Sequence, residues 1–188
     1  SIIKEVEGTI TIKNSYTGGT LTGLDNITKI GGLSIGSEEN PAANETLEMV
    51  SMTKLNEVTG NIHVYNNGVK FVQFDLLKAI EGDFVISSST LTTLQIPELI
   101  NVGGALNIFG MGKGAISTLV FPKVQTVKNS LSINEISTLK SISFPELIET
   151  GSINFSSLPI EFEKLSMPKL SVVNGDCFII SNYIQGDL

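Results

Sequence analysis

A short apolar-polar-apolar strand, usually announced by a glycine, returns along this chain at nearly constant intervals. Its paired apolar positions are Ile10 and Ile12, Leu33 and Ile35, Ile62 and Val64, Phe84 and Ile86, Leu106 and Ile108, Leu131 and Ile133, and Ile153 and Phe155, with Cys177 and Ile179 in a final copy. From Ile10 to Ile153 the first members lie 23, 29, 22, 22, 25 and 22 residues apart. A period near 22 residues is the signature of one unit stacked on itself, because so short a unit buries its apolar set only against its neighbours.

The other half of each copy has its own frame: Val50, Met52 and Leu55; Val72, Phe74 and Leu77; Leu94, Ile96 and Leu99; Leu119, Phe121 and Val124; Ile142, Phe144 and Leu147; Leu165, Met167 and Leu170. Pro97, Pro122, Pro145 or Pro168 falls between the second and third apolar residues in four copies. Proline fixes φ and donates no hydrogen bond, so it marks where that strand stops pairing and turns. A further apolar residue (Val58, Ile80, Val102, Val127, Val173) precedes a corner at Gly32, Gly60, Gly82, Gly104, Gly151 or Gly175. Asn129 stands near this corner in one copy, as a residue that accepts the left-handed conformation.

Strands recurring once per coil in one direction make parallel sheets with rungs about 4.8 Å apart. The expected fold is therefore mainly β, one solenoid domain over residues 1–188 with about seven strand-turn-strand coils, and part of a longer chain. Each end of the stack needs a cap. SIIKEVEG is expected to cover the first coil, whereas SNYIQGDL is too short to cover the last, which calls for a flanking domain, a partner or local shielding.

Composition narrows the function. With 41% apolar residues spread evenly, the chain has enough material for a stacked core. The formal charge is −7 and all twelve basic residues are lysine, so a phosphate backbone meets repulsion and no nucleic-acid partner is expected. No run approaches the roughly eighteen apolar residues of a membrane-spanning helix, and SIIKEVEGTI lacks a signal peptide's apolar stretch. Cys177 is the single cysteine, which leaves no intrachain disulfide and no thiolate metal cluster.

The segments FPKVQTVKNSLSI, FPELIETGSINF and IPELINVGGALNI resemble repeats of the leucine-rich-repeat superfamily in its receptor L-domain form. That form is found in receptor ectodomains, in surface proteins of gut Bacteroidetes and in fungal cell-wall proteins. The resemblance runs from about Gly8 to Ile180. It implies a right-handed, β-helix-like coil and a binding or adhesive role in the extracellular space or at the cell surface. The chain departs from the pattern in lacking disulfides and in keeping the asparagine-ended strand only at places such as Asn14, Asn66 and Asn134.

Between the inward pairs, Thr11, Ser34, His63, Val85, Asn107, Ser132 and Asn154 should form one outward row. Lys13, Tyr65, Ser87, Phe109, Asn134 and Ser156 should form a second beside it. A polar sheet carrying Tyr65 and Phe109 offers a surface to stack a sugar ring or dock a protein, because exposed aromatics bury much area at small entropic cost. His63, Tyr65, Asn107, Phe109 and Asn134 are accordingly the candidate ligand-binding residues. The competing reading is an ordinary solvated face with two scattered aromatics. Two insertions, Gly36 to Thr46 and Gly110 to Ala115, follow the same strand of their coils and should emerge from one edge, as contact loops or as tolerated surface loops.

Catalysis is not expected. His63 is the single histidine, and Cys177 lies about five coils away, roughly 24 Å at the rung spacing, in a frame that points inward. Polysaccharide-cleaving β-helices use acids on a sheet face, whereas these rows carry Ser, Thr and Asn, with Asp83 only at a strand entrance. No cofactor is expected. Glu38, Glu39 and Glu45 share a loop without calcium-motif spacing. Lys54, Glu98, Lys123, Glu146 and Lys169 share one position after the turn and should form a structural charge ladder. Three glycosylation-type triplets, at Asn26, Asn44 and Asn154, are what a chain this rich in Asn, Ser and Thr contains by chance. The expected function is a non-catalytic binding or adhesion module engaging a protein or glycan. A structural spacer and a carbohydrate-active enzyme are the alternatives.

Overall fold

The coils present three faces where two strands were expected. The structure, a computed structural model, describes residues 3–39, 46–111, 115–179 and 185–187, the last three by backbone alone. All strand pairs are parallel, and the described residues contain no helix. The first face is split in two: Met49–Ser51, Phe71–Gln73 and Thr93–Gln95 form one ladder, and Thr118–Val120, Ser141–Ser143, Lys164–Ser166 and Gln185–Asp187 the next. The second and third faces belong to a single twelve-stranded sheet. Four of its strands, Glu5–Ile12, Lys29–Gly36, Thr126–Asn134 and Glu149–Ser156, run through both faces. In the other coils the second face is a two-residue strand such as Ala79–Ile80, and the third a separate strand such as Phe84–Ser87.

Local chemistry sets these boundaries. Ile96-Pro97-Glu98-Leu99 closes with Leu99 N–H donating to the Ile96 carbonyl, and Phe144-Pro145-Glu146-Leu147 and Met167-Pro168-Lys169-Leu170 close in the same way. Proline sits at the second turn position, where its fixed φ is already correct. Proline is not obligatory, since Met52 to Leu55 makes the same turn with Thr53 and Lys54. The glycine corners have a different cause. Gly82 and Gly104 do not adopt positive φ. A Cβ on Gly82 would fall on the Asn61 side chain and the Gly60 backbone, and one on Gly104 would fall on Asp83 and Gly82. Close approach of the preceding coil is what excludes a side chain there. Asn129 is not left-handed; its strand passes the corner through a register shift between Val127 and Ser130.

The core is the predicted column. Ile62, Phe84, Leu106, Leu131 and Ile153 are register partners in sequence, as are Val64, Ile86, Ile108, Ile133 and Phe155, and all ten are buried. Facing them, Phe121 and Phe144 stack with ring centroids 4.4 Å apart and planes 2° from parallel. The N-terminal end differs from expectation. Glu5 and Val6 pair with Lys29 and Ile30, so this part of SIIKEVEG is a rung of the first coil and not a cap over it. Cys177 keeps its inward register opposite Ile153, yet it is exposed, because burial of an inward position requires a further rung above it.

Candidate functional site

The two predicted outward rows exist. Ser34, His63, Val85, Asn107, Ser132, Asn154 and Phe178 succeed one another in one register. Gly36, Tyr65, Ser87, Phe109, Asn134 and Ser156 do so in the other. The paired positions of the second row begin at Gly36, one coil after Lys13, which directly follows the strand Glu5–Ile12. The φ of Gly36 is 72°, and a Cβ there would strike the Tyr65 carbonyl, so the chain can leave the sheet at this point only through glycine.

A concavity of about 330 Å³ opens on this face, lined by Glu38, Tyr65, Val85, Ser87, Asn107, Phe109 and Met111. Its cause is an alternation of side-chain size along the stack. The rung of Val85 and Ser87 lies between the rung of Tyr65 and that of Phe109, so small residues form a floor between two aromatic walls. Although both floor residues point outward, each is only 6% exposed, as expected where taller neighbours stand over them. The walls are two rungs apart, roughly 9.6 Å between backbones. Glu38 and Met111, from the described roots of the two insertions, close the same end of the slot. Both insertions therefore leave from one edge, while residues 40–45, with Asn44 and Glu45, and 112–114 lie outside the described residues.

Three of the five candidates, Tyr65, Asn107 and Phe109, line this concavity. His63 stands behind the wall, its ring edge-on to Tyr65 at 5.8 Å and 60°. Asn134 is buried, and its Oδ1 accepts from the Ser156 backbone N–H at 2.8 Å and the Ser156 hydroxyl at 2.9 Å. Val85 and Ser87 were expected in the outward rows, but neither they nor Glu38 and Met111 were among the ligand-binding candidates. Glu38 was read only as a loop acid, and the concavity's depth comes from differences between rungs that a single repeat does not reveal.

Electrostatically the slot is acidic at one wall. Tyr65 has its phenol pKa raised, first by burial, then by the charges of Glu38 and Asp83 and by a hydrogen bond with Glu38. Asp83 is held in place by the ladder, its Oδ1 accepting from Ala105 N–H at 2.7 Å while its own N–H donates to Asn61 Oδ1 at 2.8 Å. Asn107 Oδ1 accepts from the Ser130 hydroxyl at 3.2 Å, a bond that does not use its amide N–H groups. The charge row resolves into adjacent-coil pairs, Lys123 with Glu98 and Lys169 with Glu146, while Lys54 donates to Asn26. Such exposed pairs contribute about 0 to 1 kcal/mol each. A larger opening, about 520 Å³, lies over Ser152 to Asn154 and Asp176 to Phe178. It is the uncovered side of the last described rung of the third face and is not framed by converging side chains.

Against known proteins, the chain is similar to the cell wall protein ecm33 of Schizosaccharomyces pombe, 30% identical over 125 residues. The match covers 64% of this chain and 23% of that protein, so the chain spans about a quarter of the length of the curated relative it matches. No protein-family model matches the chain. No solved structure matches it either.

Proposed function

We propose that this chain is a non-catalytic binding module of the cell surface, of the receptor L-domain kind, that engages a protein or glycan through the outward face of its third strand ladder. The observation that carries the reading is the slot between Tyr65 and Phe109, placed where both insertions leave the solenoid. Regular solenoid faces have rungs of even height, and a built depression with aromatic walls is the feature a ligand uses. Similarity to a cell wall protein supports the surface location.

The test is a binding screen against immobilised cell-wall polysaccharides and extracellular proteins, repeated with the Tyr65→Ala/Phe109→Ala double variant. The reading expects at least one interaction to be lost with both rings. Interactions that all survive the double substitution reject this face. A second reading, a spacer within a longer surface protein, draws on the match to only 23% of a longer wall protein and on the unbroken core column. It expects the double variant to be indistinguishable from the parent.

A further inference from the structure

Resting on the reading above, we infer that the slot takes a neutral sugar ring, a single hexose unit of a glycan, inserted edge-first between the Tyr65 and Phe109 rings. The walls stand two rungs apart, roughly 9.6 Å between backbones. That leaves room for one ring in contact with an aromatic on either side, and not for a second ring stacked on the first. The volume of about 330 Å³ lies at the small end of ligand pockets, enough for a sugar unit with part of its neighbour and too small for a folded epitope.

The polar groups select the chemistry. A pyranose offers C–H-rich faces and a rim of hydroxyls. Aromatic walls receive the faces, since polarised C–H groups sit well against the negative face of a π system. The rim then meets hydrogen-bonding groups of both kinds. The Glu38 carboxylate accepts from a pair of neighbouring hydroxyls, the N–H groups of Asn107 donate, and the Ser87 hydroxyl at the floor does either. An aromatic peptide side chain would satisfy the walls and leave the Ser87 hydroxyl and the Asn107 N–H groups without new partners, which is costly once water is displaced. Charge excludes acidic sugars. Among the described residues the lining carries no lysine, Glu38 is in it, and Asp83 acts on Tyr65 from beside it. A uronate or sulfated unit would meet these carboxylates without a counter-charge.

The experiment is calorimetric titration of the whole chain with three probes: neutral glucan and mannan oligosaccharides, an oligouronate, and a pool of aromatic-containing peptides. Each is repeated on Tyr65→Ala, Phe109→Ala and Ser87→Phe, with circular dichroism to verify folding. The expected result is binding of a neutral oligosaccharide, weakened about tenfold by loss of either wall. Ser87→Phe, which fills the slot from its floor, should abolish it, and the oligouronate should not bind. If Ser87→Phe does not fold, the two wall variants carry the test. Neutral-glycan binding that ignores the substitutions overturns the inference. Peptides that bind through Tyr65 and Phe109, with no sugar doing so, overturn the sugar assignment and leave the binding face standing. If no probe binds in a ring-dependent way, the inference falls, and the polysaccharide and protein screen above decides whether the face falls with it.

Discussion

Asn134 shows how a residue on the outward face is diverted from ligand contact to structure. It is 7% exposed, and its one carbonyl oxygen accepts two donors from Ser156 in the next coil. Asn134→Ala should therefore cost about 1 to 3 kcal/mol, because it leaves a backbone N–H and a hydroxyl without their acceptor. Chemical denaturation measures this, and the variant should keep ligand affinity; a loss of affinity without loss of stability would return Asn134 to the binding site. Tyr65 makes the complementary case. Its neutral phenol is favoured in the fold by burial and by the facing carboxylates, so its folded pKa lies above the unfolded value of about 10. In that interval the folded state holds the extra proton. The stabilisation is complete below the unfolded pKa and disappears as pH rises through the folded one. Ultraviolet titration should show Tyr65 ionising late. Tyr65→Phe should remove that late step and soften the alkaline loss of stability. From sequence, Tyr65 and Phe109 were legible through their row, because outward positions follow from period-two alternation. The burial of Asn134 and Ser87 was not, since it depends on the height of neighbours in adjacent coils.

At the scale of the element, two of the three faces could be read directly. The strand of Leu106 and Ile108 and the frame of Leu94, Ile96 and Leu99 both alternate long enough to be seen. The middle face could not, because a strand such as Asn101–Val102 has two residues and no alternation to detect. Val58, Ile80 and Val102 were noticed as recurring apolar residues before the corner, and they are the inward members of those strands. The corner glycines were also visible, but their reason was hidden in the stack: they yield space to the coil beneath and do not adopt left-handed φ. This distinction is testable at Gly104, which meets Asp83 and the Gly82 backbone. Gly104→Val should destabilise by about 1 to 3 kcal/mol, the range for overpacking a filled position. Thermal unfolding checks the loss. Partial relief in a Gly104→Val/Asp83→Ala double variant would show that crowding, and not φ, sets the cost. With Asp83→Ala alone measured as the reference for the lost Ala105 N–H bond, a double variant that costs the full sum of the two singles would place the crowding on the Gly82 backbone and not on the Asp83 side chain.

Across the whole molecule, each coil is held by the coils on either side, and stability accumulates as a sum of neighbouring interfaces. The gradient is written into burial. Ile86, Ile108 and Ile133 are fully enclosed, whereas Ile10 and Ile12 are half-buried, Cys177 is exposed and Phe178 is 53% exposed. Local opening draws on the interfaces a coil shares, so coils with one described neighbour should open at lower free energy than those with two. Amide hydrogen exchange should accordingly be slowest over Phe84–Ser87 and Leu106–Phe109 and fastest over Glu5–Ile12 and Cys177–Ile179, with intermediate values in order between. The slot lies on the slow segments, with Tyr65 one rung away, so its walls are carried by the most rigid part of the stack. A binding site that must hold two rings at a fixed separation benefits from that placement, because order already present in the free protein is not lost again on binding. Uniform exchange along the chain would mean that the solenoid opens as one cooperative unit, and this account of why the slot sits mid-stack would have to be abandoned.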